Sequence, residues 1–98
     1  MANKDITSEK VLEKSLAKQV QELGGWAIKL PAYLIAGLPD RLLLMPNGRA
    51  YFAEVKSTGE APKRLQRIVI NNIKKLGFEV FIISDNATLA EAINTIRV

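Results

Sequence analysis

The stretch GLPDRLLLMPNGRAYFAEVK, residues 37–56, decides the fold of this chain. Near its centre stands Asn47-Gly48, a pair typical of tight turns between two antiparallel strands. Apolar runs flank the pair on both sides, so the pattern predicts a β-hairpin with strands over 41–45 and 50–56. This hairpin provides two neighbouring strands of a sheet.

Charged residues stand at one end of the predicted hairpin. If Asn47-Gly48 forms a two-residue turn, simple counting places residue i opposite about residue 95 − i, so Asp40 faces Val55. Glu54 and Lys56 are then diagonal neighbours of Asp40, within reach of its side chain. Residues two apart on a strand point to one face, so Glu54 and Lys56 share a face. We therefore expect two carboxylates and one ammonium group to converge.

The sequence before the hairpin predicts a helix and a strand. Thr7 or Ser8 can cap the helix, and Gly24-Gly25 ends it. A short strand follows over 26–30. The apolar positions of the helix recur with a period near 3.6 and are Val11, Leu12, Leu16, Val20 and Leu23.

The sequence after the hairpin predicts a helix from Pro62 to Gly77, a strand over 78–84 and a last helix capped by Asn86 or Thr88. The order is α-β-β-β-α-β-α, which indicates one α/β domain over 1–98 with a mixed four-stranded sheet flanked by helices. The side chains expected to face the core are Leu65, Ile68, Val69, Ile73 and Leu76 of the middle helix, Leu89, Ala90, Ile93 and Ile96 of the last, and the aromatic residues Trp26, Phe52, Phe78 and Phe81.

The composition excludes many kinds of site. The chain has no cysteine and no histidine, which rules out disulfides, thiolate or Ser-His catalysis and zinc sites with Cys or His ligands. The net charge is +4, and residues 41–75 carry eight Lys and Arg against Glu54 and Glu60. This central excess favours a polyanionic partner, nucleic acid before anionic membrane, although a basic surface that serves solubility is the simpler alternative.

No apolar run reaches the roughly 18 residues that a membrane span needs. The first residues, MANKDITSEK, lack the apolar core of a secretory signal. We therefore expect a cytoplasmic protein.

The clustered carboxylates suggest a metal. Two carboxylates held together repel, and each has its pKa raised unless a cation lies between them. Mg²⁺ or Mn²⁺ resolves the conflict, because such an ion accepts one or two carboxylates plus waters. It can also lower the pKa of bound water and stabilise charge on a phosphoryl oxygen. A surface salt bridge across the hairpin is the simpler alternative.

The run Gly37-Leu38-Pro39-Asp40, followed by Glu54-Val55-Lys56, resembles the PD-(D/E)XK nuclease motif, and more narrowly the virus-type replication-repair nuclease (VRR-NUC) domain. Glu13 with the apolar positions that follow it is similar to the first-helix pattern of that superfamily, and Gln66 resembles the glutamine of its second helix. The similarity extends over about 7–85. This resemblance implies a restriction-endonuclease-like fold. It also implies that the chain is a stand-alone member of the family, of the phage type.

The resemblance also implies roles for individual residues. Asp40 and Glu54 would bind the metal, together with the backbone carbonyl of Val55. Lys56 would be the catalytic lysine, and Gln66 would contact a water or a phosphate. One glutamate of the first helix would complete the metal site. We prefer Glu13 for this role and keep Glu9 as the alternative, since residues four apart share a helix face.

The activity implied is that of a Mg²⁺- or Mn²⁺-dependent endodeoxyribonuclease that cuts branched DNA, with the four-way (Holliday) junction as the leading substrate. A phage origin and action in the cytoplasm of a bacterial host are implied as well. A non-catalytic nucleic-acid-binding module with a basic face is the alternative. The residues that could track phosphates, with a solvated face as an equal alternative, are Lys29, Arg41, Lys63, Arg64 and Arg67.

The loop between Pro31 and Pro39 is unusually apolar, because it holds Tyr33, Leu34 and Ile35. It could fold over the protein's own core, form part of a homodimer interface or press against unstacked bases. We favour the homodimer, since symmetric cutting of a four-way junction needs two active sites and one chain supplies one.

Overall fold

The helices and strands follow the predicted order. The computed structural model describes residues 7–97, so most of the segment in which we expect no secretory signal lies outside the described residues. The elements are α1 (Glu9–Glu22), β1 (Trp26–Lys29), β2 (Arg41–Met45), β3 (Arg49–Val55), α2 (Arg64–Lys75), β4 (Val80–Ile83) and α3 (Asn86–Ile96).

The hairpin between β2 and β3 differs from the prediction by one residue. Pro46–Gly48 forms a short 3₁₀ turn, and Met45 pairs with Arg49. Asn47 and Gly48 both have positive φ, at 68° and 75°. Because the turn has three residues and not two, the predicted register is wrong: Arg41 pairs with Ala53. One step further along this register, Asp40 comes directly opposite Glu54 and not opposite Val55.

The four strands form one mixed sheet, as predicted, and their order in it is β1-β2-β3-β4. β1, β2 and β3 are consecutive antiparallel neighbours, whereas β4 pairs with β3 in parallel, with Glu54 beside Ile82. A parallel pair requires a crossover, and α2 provides it. Because β2 and β3 are antiparallel, the end of β3 and the start of β2 lie at the same end of the sheet.

The two faces of the sheet are covered differently. α1 and α3 cover one face and bury the core with it. α2 lies on the other face, where Ile70 is its buried side chain. The core of the first face contains Leu12, Leu16, Val20, Leu43, Met45, Ala53, Val55, Ile83, Leu89, Ala92, Ile93 and Ile96.

Some side chains predicted to be buried are exposed. Trp26 is 66% exposed and pairs with Leu44, which is also exposed, and Phe78 packs its ring edge-on against Phe52 at the surface. Phe81 does pack against the core. α2 turns Leu65, Ile68 and Leu76 outward, because its apolar residues occupy a wider arc than the sheet covers.

The helix caps are partly as predicted. The Ser8 hydroxyl accepts a hydrogen bond from the Val11 N–H and caps α1. Asp85 caps α3 through the Thr88 N–H, so the predicted caps Asn86 and Thr88 are wrong. Within residues 7–97 no helix is both long enough and apolar enough to cross a membrane.

Candidate active site

Asp40 is fixed by the strands on both sides of it. Pro39 before it is fully buried, and the Asp40 carbonyl accepts a hydrogen bond of 2.7 Å from the Leu30 N–H. Its side-chain Oδ2 accepts one of 2.8 Å from the Val55 N–H across the hairpin. These two bonds hold the carboxylate at the point where β2 begins, beside Glu54.

Glu54 is the one charged side chain buried in the described part of the chain, with 1% of its surface exposed. Its Oε2 lies 3.2 Å from the Lys56 ammonium and accepts a hydrogen bond of 2.7 Å from Gln66 Nε2. Its Oε1 is buried and has no hydrogen-bond partner. An ionised oxygen without a partner in such a place is costly, so this atom requires an explanation.

Gln66 connects the site to α2. Its Oε1 accepts a hydrogen bond of 3.0 Å from the Lys63 N–H, at the start of the helix, while its Nε2 donates to Glu54. The two bonds fix the orientation of the side-chain amide. The structure thus brings Asp40, Glu54, Lys56 and Gln66 together.

The charges of the site perturb one another. Burial raises the pKa of Glu54, and the Asp40 charge raises it further, against hydrogen bonds from Lys56 and Gln66 that lower it. Burial also raises the pKa of Asp40, while the Val55 N–H opposes the shift. Two carboxylates with raised pKa values beside one ammonium group leave an excess of negative charge.

The two acids of α1 are arranged differently. Glu13 Oε1 accepts hydrogen bonds from Lys29 Nζ at 3.0 Å and from Arg41 Nε and Nη2 at 3.3 and 3.1 Å. Arg41 Nη1 also donates to the Ala27 carbonyl at 3.1 Å. Burial and then the Asp40 charge raise the pKa of Glu9. Glu13 is therefore engaged with cations, while Glu9 lies in the field of Asp40.

The sequence did not reveal this arrangement around Glu13. Lys29 and Arg41 occur as a direct pair in the β1–β2 register, and α1 places Glu13 over them. A signal existed, since an antiparallel pairing of β1 with β2 brings two cations side by side, and a nearby carboxylate is then expected.

The other predicted contact residues lie at the surface. Lys63, Arg64 and Arg67 are exposed at the start of α2, and Arg67 Nη1 donates to the Pro62 carbonyl at 2.8 Å. In the apolar loop Tyr33 is 88% exposed, and Leu34 and Ile35 are exposed too. The alternative in which this loop folds over the protein's own core is therefore wrong.

Comparisons with known proteins agree with this geometry. No family model matches the chain. A solved structure described as "VRR_NUC domain" superposes with a TM-score of 0.82 at 26% identity, covering 90% of this chain and 97% of that one. The curated protein "Putative nuclease p44" of Acyrthosiphon pisum secondary endosymbiont phage 1 is 34% identical over 91 residues, which are 91% of this chain and 98% of that protein.

The chain belongs to the VRR-NUC family. The predicted fold class is confirmed, and the VRR-NUC protein described here is a nuclease.

The donor set of this VRR-NUC nuclease fits a hard divalent cation. Glu54 Oε1 is buried without a partner, and Asp40 retains one side-chain oxygen beyond the one bonded to Val55. Within residues 7–97 no three carboxylates lie together as a ready metal cluster. Mg²⁺ needs fewer, since it is held by one or two carboxylates and keeps several waters.

Proposed function

We propose that this protein is a Mg²⁺- or Mn²⁺-dependent endodeoxyribonuclease that hydrolyses phosphodiester bonds in branched DNA. The observation that carries the proposal is the unpaired, buried Oε1 of Glu54 beside Asp40. If these residues served stability alone, a neutral side chain in place of one carboxylate would be more favourable. A divalent cation accounts for both acids.

The metal would be held by Asp40, Glu54 and the Val55 carbonyl, with Glu13 or Glu9 from α1. When bound, the cation supplies Lewis-acid stabilisation of phosphoryl charge and a lowered pKa for a coordinated water. Glu13 Oε1 already accepts hydrogen bonds from Lys29 and Arg41, so only its Oε2 could bind the metal without breaking them. Glu9, whose pKa is raised by burial and then by the Asp40 charge, has more to gain from a nearby cation.

Lys56 is the catalytic lysine of this proposal. Its ammonium group lies 3.2 Å from Glu54 Oε2 and is mostly buried, so it is held in one place. There it can orient the attacking water, take part in proton transfer or neutralise charge on the phosphate. Gln66, with its amide fixed at both ends, donates to Glu54 and can contact the phosphate or a water.

The DNA backbone would be contacted by cations on either side of the acids. Phosphate contacts make binding independent of sequence and dependent on salt. The proposed contact residues are Lys29, Arg41, Lys63, Arg64 and Arg67.

We propose that two copies pair through an apolar surface, here called the loop surface, made of Tyr33, Leu34, Ile35, Leu65 and Ile68. All five side chains are exposed. The loop and the helix are continuous, because Gly37 lies against Leu65 and Val69. An exposed apolar patch of this extent indicates an interaction site, and a second copy would give two active sites, as a four-way junction requires.

Cleavage assays test the activity. Labelled four-way junction, flap and linear DNA are incubated with the protein in Mg²⁺ and in EDTA. We expect metal-dependent cutting of the branched substrates that disappears in Asp40→Ala and in Glu54→Ala while DNA binding persists. Glu91→Ala, which removes an exposed carboxylate of α3, is the matched control and keeps full activity.

The alternative function is a non-catalytic nucleic-acid-binding module that uses the same basic residues. The family membership favours the nuclease. Tight DNA binding without cutting in Mg²⁺ or Mn²⁺ would establish the binding module and overturn the proposal. Equal cutting of linear and branched DNA would refute the proposed substrate class alone.

A further inference from the structure

A pocket opens between α1 and the β1–β2 pair, near the proposed active site. It has a volume of about 360 Å³ and is lined by Glu9, Lys10, Glu13, Lys14, Lys29 and Arg41. Arg41 directly follows Asp40 in the chain. The field of Asp40 also reaches Glu9 on the pocket wall. The pocket therefore lies near Asp40.

The wall of the pocket carries more positive than negative charge, with four cations and two carboxylates. Glu13 and Arg41 are mostly buried and hold each other in place, and the Ala27 carbonyl takes a further Arg41 donor. The arrangement is thus rigid at its base. At its rim stands Lys29, whose side chain is 61% exposed.

The cations at the rim retain unused donors. The Lys29 ammonium group has three N–H donors, and one of them is directed to Glu13. Lys10 and Lys14 are exposed and lie four residues apart, so α1 presents them on one face, one turn from each other. These lysines surround the opening with mobile point charges suited to a phosphate group.

We infer that this pocket binds a backbone phosphate of the DNA through Lys10, Lys14 and Lys29. This phosphate is the neighbour of the scissile phosphate along the strand. The inference rests on the proposed function, because DNA must already lie across Asp40 and Glu54. The α1 lysines thereby gain a role that their sequence context did not indicate. The pocket would set the path of the strand by holding it one phosphate away from the cut.

Salt-dependent binding tests the inference. The affinity for a labelled four-way junction is measured in EDTA across a series of NaCl concentrations for wild type, Lys10→Gln, Lys14→Gln and Lys18→Gln. Lys18 is the matched control, since it is exposed one turn beyond Lys14 on α1 and does not line the pocket. Each lost phosphate contact lowers the slope of log K against log[salt] by about 0.9.

Because the lysines share one phosphate, we expect part of this loss in Lys10→Gln and in Lys14→Gln, and an unchanged slope in Lys18→Gln. The charge-preserving Lys14→Arg should restore the slope. Equal losses in all three glutamine variants would overturn the pocket in favour of a diffuse basic helix face. Unchanged slopes in all three would show that the DNA does not pass over α1.

A substrate experiment locates the phosphate. Once the cut is mapped, single neutral methylphosphonates replace the phosphates within three positions of it. At one of these positions, the methylphosphonate should weaken binding by the wild type. The same substitution should not weaken binding by the double variant Lys10→Gln/Lys14→Gln any further. Additive effects at every position would refute the inference. Cutting in Mg²⁺ is scored separately, so failure of the nuclease proposal is distinguished from failure of the pocket.

Discussion

At the scale of single residues, the site combines strong restraint with unbalanced charge. Glu54 Oε2 forms an ion pair with Lys56 and accepts a hydrogen bond from Gln66, whereas Oε1 accepts no hydrogen bond. Asp40 lies next to it and raises its pKa. Such a pair of acids lowers the stability of the metal-free protein. This loss of stability is expected at a functional site whose acids are arranged to bind a cation.

The substitution Asp40→Asn should therefore stabilise the metal-free protein. Asparagine keeps an oxygen for the Val55 N–H and removes one of the repelling charges. We expect the free energy of unfolding in EDTA near neutral pH to rise by about 0.5–2 kcal/mol, the usual scale of a single stabilising substitution. Urea unfolding measures it, and a loss of stability would contradict the repulsion.

The pH dependence of this gain has a definite sign. The folded-state pKa of Asp40 is raised, so the folded protein binds protons more tightly than the unfolded chain. Metal-free wild type is then favoured below the unfolded pKa and loses stability as the pH rises through the folded one. The advantage of Asp40→Asn should shrink as the pH falls towards about 4, the ordinary pKa of an aspartate.

Lys56→Met should separate catalysis from metal binding. Methionine keeps an unbranched side chain one atom shorter and removes the ammonium group that lies 3.2 Å from Glu54. We expect cutting to fall by about 100-fold or more, the scale of a lost proton-transfer group. Calorimetric titration with Mn²⁺ should show binding within a few-fold of wild type. Lys75→Met, on the exposed end of α2, is the control, and retained cutting in Lys56→Met would remove this lysine from the mechanism.

The sequence was informative about single residues where they are close along the chain. Asp40, Glu54, Lys56 and Gln66 were all placed at one site, and the structure brings them together. The engagement of Glu13 with Arg41 was missed, because the two are 28 residues apart and their contact depends on how α1 crosses the sheet.

At the scale of elements, the loop before β2 is pressed against α2 at Gly37. This residue has φ of +91°, and a Cβ there would lie 2.9 Å from Val69 Cγ2 and 3.1 Å from the Leu65 carbonyl oxygen. Glycine therefore satisfies two constraints, the left-handed backbone and the close approach. The loop reaches Asp40 three residues later, so its position matters for the site.

A pair of glycine substitutions separates these constraints. Gly59 has nearly the same φ, +92°, but nothing lies within 4 Å of its added Cβ. Gly59→Ala should lose about 1 kcal/mol from backbone strain, and Gly37→Ala a further 1–3 kcal/mol from overpacking. Chemical denaturation of both variants measures the difference. Equal losses would mean that the loop can move away from α2 freely.

Two elements show where sequence patterns were insufficient. The one-residue error in the hairpin arose because Pro46 joins the turn, which the Asn47-Gly48 pair alone does not indicate. The exposed face of α2 arose because its apolar residues cover a wide arc, and a periodic pattern does not say which part of that arc meets the sheet. Both errors concern how elements are placed, not whether they exist.

At the scale of the whole molecule, the exposed loop surface is the feature on which the proposed homodimer rests. Sedimentation at micromolar concentration should show a dimer for wild type and a monomer for Leu34→Asp, since a buried unpaired charge would be introduced into the interface. Leu76→Asp is the matched control: Leu76 is 76% exposed at the far end of α2, outside the loop surface, and this variant should stay dimeric. A wild-type monomer would refute the pairing.

The short chain separation among the site residues has a consequence for folding kinetics. The bond from Val55 to Asp40 closes 15 residues and that from Gln66 to Glu54 closes 12. Loops this short lose little entropy on closure, and hairpins form within microseconds. The parallel β3–β4 ladder and the contact of α1 with α3 join distant parts of the chain and are expected to form later. Substitutions among the buried residues of α3 should then change how much folded nuclease a cell contains, while each folded molecule keeps the same cutting geometry.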